Sequence, residues 1–153
     1  MQKHAPTPDE DLIEAAGAGS IRQAARALRA GADPLRARDI DGATALMLAA
    51  HGGFLGLSSI LLPLSLPGAT DFLGWNAFMC AVASGSLHCA RLLAPHSDIL
   101  ARDRHDRLAL DLLNCPAADP LWIFLRDSTH AALEREALAS LCPAPAISVR
   151  ARI

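Results

Sequence analysis

The sequence predicts an all-α solenoid of about four helix–turn–helix units, closed by a C-terminal capping helix. Three observations predict it. A nine-residue rhythm runs from Gly42 to Ala50 as GATALMLAA and again from Gly74 to Val82 as GWNAFMCAV. It reads glycine, any, polar, alanine, large apolar, methionine, any, alanine, small. The same interval of 32 residues separates Asp39, Asp71 and Asp103, then Leu46, Phe78 and Leu110, then Gly53 and Gly85. Upstream, Leu12, Ala15 and Gly19 precede Leu46, Ala49 and Gly53 by 34. A fixed period of this length marks stacked repeats, because one helix pair cannot bury its apolar face alone.

The elements follow in order. Thr7-Pro8-Asp9-Glu10 opens the first helix, Asp9–Ala16. Thr7 caps it, Pro8 fits the first helical position and Glu10 completes a capping box. Gly17-Ala18-Gly19 stops it. A second helix, about Ile21 to Ala30, ends at Gly31, a left-handed C-cap. In unit two, Thr44 starts a helix through His51, Gly52-Gly53 breaks it, and Leu55, Leu57, Ile60, Leu61 and Leu62 form the next. Unit three runs from Asn76 to Ala83, turns at Ser84-Gly85, and continues from Leu87 to Ala94 until Pro95. Unit four has LALDLL at 108–113, a break at Cys115-Pro116, and DPLWIFL at 119–125. Thr129 to Leu141 reads as a further helix, with Leu133, Ala137, Leu138 and Leu141 on one face. The expected organisation is an N-terminal extension (1–7), four repeats over 8–126 (about 8–38, 39–70, 71–102 and 103–126), a capping helix (127–142) and a mobile tail (143–153).

Composition narrows the function classes. Of 153 residues, 52% are apolar and 20% charged, enough for one core-bearing domain. A net charge of −2 carries no nucleic-acid footprint. Five arginines gather in unit one (Arg22, Arg26, Arg29, Arg36, Arg38), but acids interleave elsewhere. The longest apolar run, Ile60 to Leu66, is broken by Pro63 and Ser65 and is too short to span a membrane. The first residues lack the apolar stretch of a signal peptide. A cytoplasmic protein, with no nucleic-acid or membrane partner and monomeric when unbound, is the expectation. Cys80, Cys89, Cys115 and Cys142 show no C-x-x-C spacing and read as reduced and mostly buried. One lysine against thirteen arginines and no tyrosine fits a GC-rich, bacterial coding bias, with selection against lysine modification inside a eukaryotic cell as the second reading.

These helix pairs, with GATALMLAA, GADPLRARD and GSLHCARLLA, resemble ankyrin repeats. Unit two matches the family motif at Gly42, Thr44, Leu46, Ala49, Ala50 and Gly53. Unit three matches at Gly74, Phe78, Ala81, Gly85, Leu92 and Leu93. Unit one matches through Ala15, Ala16, Gly19, Leu28 and Gly31-Ala32-Asp33. The motif's proline is replaced by Ala45, Ala77 and Ala109, and its histidine by Met47, Met79 and Asp111. That histidine ties neighbouring loops in the family, so looser loops are expected here. LPLSLPGATD, from Leu62 to Asp71, replaces the usual Gly-Ala-Asp loop and predicts an altered connection.

The resemblance implies a non-catalytic protein-binding module without a cofactor, gripping another protein through its concave face and loop tips. An inhibitor or immunity protein and a host-directed effector are both within that class, so delivery into a host or neighbouring cell stays open beside a cytoplasmic location. The family's variable positions fall on Ile40, Asp41, Ala43 and His51 in unit two, on Phe72, Leu73, Trp75 and Ser84 in unit three, and on Arg104, His105 and Arg107 in unit four. Phe72, Leu73 and Trp75 are large and apolar around a glycine turn, and exposed aromatics beside arginine make a binding hot spot. Local packing of Phe72 and Trp75 over the 62–71 loop is the competing reading. Arg104 and Arg107 are candidates for paired hydrogen bonds to a partner carboxylate. Asp41, Asp71, Asp103 and Asp106 read as turn caps. The alternative function is a metal- or thiol-dependent activity centred on Cys80 and Cys89. No metal site is expected, because tetrahedral zinc needs about four ligands and His88 points away.

Overall fold

The computed structural model describes residues 5–113 and 119–141. The Cys115-Pro116 break, Cys115, Cys142 and the expected tail at 143–153 lie outside the described residues. Six short helices pair off in order: α1 (Pro8–Gly17) with α2 (Ile21–Arg29), α3 (Ala45–His51) with α4 (Leu55–Leu61), and α5 (Ala77–Ala83) with α6 (Leu87–Leu93). A 3-10 turn (Ala109–Leu112) and the long helix α7 (Pro120–Leu141) complete the chain. α1 packs on α3, α3 on α5, and α5 on the 3-10 turn, which also meets α7, while α4 packs against α6. Among the described residues there is no strand, only an isolated bridge between Arg38 and Thr44.

Local chemistry starts most of the helices where the sequence places them. The Thr7–Glu10 capping box forms in both directions, Thr7 N–H to Glu10 Oε2 at 2.8 Å and Glu10 N–H to Thr7 Oγ1 at 3.3 Å. Ser20, Thr44, Asn76 and Ser86 each accept a backbone N–H from the third residue of their helices. A lost cap of this kind costs about 1 kcal/mol. Phe54, in register with Ser20 and Ser86, cannot cap. Its ring lies over Gly19 and Gly52 instead, where a Cβ would meet it at 2.5 and 2.3 Å.

The core is a ladder of small and large residues. Ala15, Ala49 and Ala81 are buried and let the first helices approach closely, while Leu12, Leu46, Phe78 and Leu93 fill the space between units. Leu92, read with Leu93 as seam, is only half-buried.

After α4 the chain departs from the Gly-Ala-Asp connection of unit one: Leu62–Leu64 forms a 3-10 turn around Pro63, and Ala94–His96 repeats it around Pro95 after α6. One expectation is corrected. The helix does not break near residue 127. Thr129 Oγ1 donates back to the Leu125 and Arg126 carbonyls, both at 2.9 Å, so the hydroxyl is satisfied within the helix and the chain continues. The first turns of α7 close the stack through buried Leu121, Leu125 and Thr129. The apolar face expected to cap the stack is turned outward beyond that point, with Leu133 53% and Leu138 64% exposed.

Candidate functional site

One loop geometry is built three times. Asp39 Oδ1 accepts the N–H of Asp41 and Ala43 (2.9 and 2.8 Å), Asp71 Oδ1 those of Leu73 and Trp75 (2.8 Å each), and Asp103 Oδ1 those of His105 and Arg107 (2.8 and 3.0 Å). The third position along each turn is left-handed: Gly42 at φ 79°, Gly74 at φ 83° and Asp106 at φ 60°. Asp39, Asp71 and Asp103 are therefore the turn-capping carboxylates. Asp41 and Asp106, read as caps with them, are not: Asp106 pairs with Arg102 across 3.5 Å of exposed surface.

The loops are tied, not loose. Phe72 N–H donates to the Asp41 carbonyl at 2.9 Å, and Arg104 N–H donates to that of Leu73 at 3.0 Å. Arg38 reaches the Gly42 carbonyl at 2.7 Å and that of Thr70 at 3.3 Å. At the positions of the motif's histidine, Met47 Sδ accepts Thr44 N–H at 3.4 Å and Asp111 Oδ2 accepts Leu108 N–H at 2.9 Å.

Between the first two of these loops lies a concave cavity of about 360 Å³. Asp41, Ala43, His51, Phe72, Leu73 and Trp75 line it, all positions singled out in the sequence. Asp39, Met47, Leu48, Asp71 and Cys80 complete the lining; of these, the sequence marks Asp71 as a turn cap, Cys80 as a candidate thiol and Met47 as a motif replacement, none of them as a contact for a partner. Ile40 stands beside it, 92% exposed, with Phe72 at 61% and Leu73 at 50%. Phe72 is largely exposed, and its ring rests on Gly42 of the preceding loop.

Other expected site residues are placed differently. Trp75 is partly buried, and its Nε1–H donates to Asp103 Oδ2 at 3.1 Å. Arg107 is engaged within the chain, with Nε at 2.9 Å and a terminal nitrogen at 2.8 Å from the same oxygen. It is therefore not free for a partner carboxylate, whereas Arg104 is exposed. Ser84 donates its hydroxyl to Ala81 and Ala50 carbonyls. His105 is exposed on the next loop and does not line the cavity.

Asp103 is buried, and burial pushes its pKa up. Hydrogen bonds from the Arg107 backbone and guanidinium, the His105 N–H and the Trp75 indole outweigh that and hold it well below the ordinary carboxylate range. Cys80 is opposite in sign. Burial, and after it the charge of Asp71, pushes its thiol up to about 12. A thiol so protonated is a poor nucleophile and metal ligand. Cys89 faces elsewhere, buried between helices with its Sγ 4.0 Å from Ser58 Oγ. Among the described residues no three His, Cys, Asp or Glu side chains are grouped to hold a metal ion. The two cysteines thus share no site, and the metal- or thiol-dependent alternative gains no support.

A larger groove, about 940 Å³, runs between the end of α6 and α7. Arg91 already stacks over Phe124 there at 5.6 Å, and Asp98, Asp127 and Glu136 are mixed with Arg91 and Arg135 along its walls. No residue singled out in the sequence lines it. No helix among the described residues is long and apolar enough to cross a membrane.

Residues 12–103 match the family described as ankyrin repeats, in three copies. No curated protein matches the chain.

Proposed function

The chain belongs to the ankyrin repeat family, whose members are generally protein–protein interaction modules, and we propose that it holds a partner protein through the concave strip between residues 39 and 84. One observation carries the reading. Ile40, Phe72 and Leu73 are exposed on adjoining loops around a preformed cavity, and those loops are pinned to each other by backbone hydrogen bonds. Large apolar side chains on a rigid platform lose little conformational entropy on binding, which is what makes a hot spot. Such a chain acts by occupying its target, as an inhibitor, an immunity protein or a host-directed effector does. It is monomeric when unbound on this reading, and Arg104 supplies a rim charge.

The test is capture of a partner from lysate of the source organism, with wild type beside a Phe72→Ala/Leu73→Ala variant. Both side chains are at least half exposed, so the variant keeps its circular dichroism and melting temperature. Loss of the captured partner from the folded variant supports the strip. Equal capture by both proteins overturns it.

A further inference from the structure

We infer that the concave cavity receives an arginine side chain of the partner, held as the chain holds its own Arg107. The inference rests on the strip reading above and names its chemistry. The threefold loop supplies the argument. In each copy the carboxylate at the turn spends Oδ1 on two backbone N–H groups. In the last copy Oδ2 of Asp103 is closed by a guanidinium, two nitrogens within 2.9 Å, and by the Trp75 indole. Thirty-two residues before Arg107 stands Trp75, and thirty-two before that, Ala43. The repeat therefore has no counterpart of Arg107 at Asp71 or at Asp39, and the nearby Arg38 guanidinium bonds the Gly42 and Thr70 carbonyls instead. Among the described residues, none of Asp39, Asp71 and Asp41 forms an ion pair.

These three carboxylates border one cavity, and no lysine or arginine lines it. Its other walls suit a guanidinium rather than a compact ammonium. Phe72 and Trp75 offer aromatic faces, and Met47 and Leu48 offer apolar surface for a three-carbon stem. A volume of about 360 Å³ lies at the small end of ligand sites and has room for one long side chain. The carboxylate field reaches the cavity floor, where it adds to burial in keeping Cys80 protonated. Charge and shape thus select the same occupant. Its stem covers apolar wall, its plane lies against an aromatic ring, and its nitrogens meet Asp71 and Asp41.

The experiment titrates the full, isotope-labelled chain with N-acetyl-arginine amide and with its uncharged isostere N-acetyl-citrulline amide, read by backbone and indole NMR shifts. The arginine probe is expected to give saturable shifts at Asp41, Phe72 and the Trp75 indole. Citrulline is expected to bind about tenfold more weakly or worse, and Asp71→Asn to weaken arginine binding by a similar factor. Asparagine retains the oxygen that accepts the Leu73 and Trp75 N–H groups, so the turn survives. Asp41→Asn is the second variant, at an exposed side chain outside the turn's hydrogen bonds. Equal shifts with both probes, shifts mapping outside the cavity, or indifference to both variants overturns the inference. A partner lost from Phe72→Ala/Leu73→Ala but captured equally by Asp71→Asn and Asp41→Asn overturns the arginine alone. A partner indifferent to Phe72 and Leu73 overturns the strip itself.

Discussion

Trp75 and Asp103, 28 residues apart, are joined by a 3.1 Å hydrogen bond from the indole Nε1 to the carboxylate Oδ2. The bond crosses from the loop of one repeat to the loop of the next, so an aromatic residue that reads as a contact for a partner is also a strut. Trp75→Phe keeps the aromatic ring and removes the donor. It is expected to lower the melting temperature, while Phe72→Ala, at a largely exposed ring, changes stability by about 0.5 kcal/mol or less. Thermal unfolding followed by circular dichroism checks both. A Trp75→Phe protein melting with wild type would remove the strut from the account.

The same carboxylate sets an acid limit. Its pKa lies below the ordinary 3.8 in the fold, so the unfolded chain takes up the proton first as pH falls. The stabilisation is complete above about 3.8 and is lost progressively below it, towards the folded value. The stability gap between wild type and Asp103→Asn is therefore expected to be largest at neutral pH and to narrow progressively below about pH 4. Urea unfolding at pH 7, 5, 4 and 3 measures the gap, and a gap constant across that range contradicts the assignment.

Gly42 and Gly74 are equivalent turn positions with unequal neighbours. A Cβ on Gly42 meets the Phe72 ring at 2.9 Å, whereas on Gly74 it meets the Arg104 backbone nitrogen at 3.1 Å. Both glycines are left-handed, so alanine costs about 1–2 kcal/mol at either from backbone strain alone. The steric part is separable. Phe72→Ala is expected to recover some of the loss in Gly42→Ala and none of that in Gly74→Ala. Double-mutant cycles from chemical denaturation read the difference.

Much of this was legible in the sequence, and what was not has definite causes. The helix starts at Thr7, Thr44 and Asn76 follow from the sequence, because capping is local chemistry; Ser20 and Ser86 cap in the same way and were not singled out. The stacking follows from the period, because each unit covers its neighbour. Six of the eleven residues picked from the variable positions line one cavity, since a repeat puts equivalent positions side by side. Arg107 was misread because its partner lies four residues back, and nothing in the spacing separates a guanidinium that faces a partner from one that turns inward. The sequence reads as one helical piece over 119–125 and another from Thr129, whereas α7 runs unbroken from Pro120 to Leu141, with the Thr129 hydroxyl turned back to the preceding turn. The Cys80 floor required knowing which loop carboxylates face it.

Cys80 offers a chemical check on that floor. Its thiol is raised from 9.0 to about 12 in the fold, so the native chain retains a proton that the unfolded chain releases from about pH 9. This contribution to stability is complete below pH 9 and is lost as pH climbs towards 12. At pH 8, iodoacetamide is expected to leave Cys80 and Cys89 unlabelled in the native protein and to label both after unfolding. Peptide mass spectrometry identifies the modified positions. Rapid native labelling of Cys80 would show that the cavity floor is open and its thiol ionised.

Helix α7 divides into a half that closes the stack and a half that does not. Leu125 is fully buried against the last repeat, whereas Leu133 and Leu138, two and more than three turns further on, stand in solvent. Leu125→Ala opens a cavity at the end of the ladder and is expected to cost about 2–5 kcal/mol. Leu133→Ala and Leu138→Ala remove little packed surface, and alanine is at least as good a helix former as leucine. Each is expected to stay within about 0.5 kcal/mol of wild type. Urea denaturation of the three single variants decides it. A large loss at Leu133 or Leu138 would mean that the outer half of the helix packs against something in solution, and the cap would then extend the full length of α7.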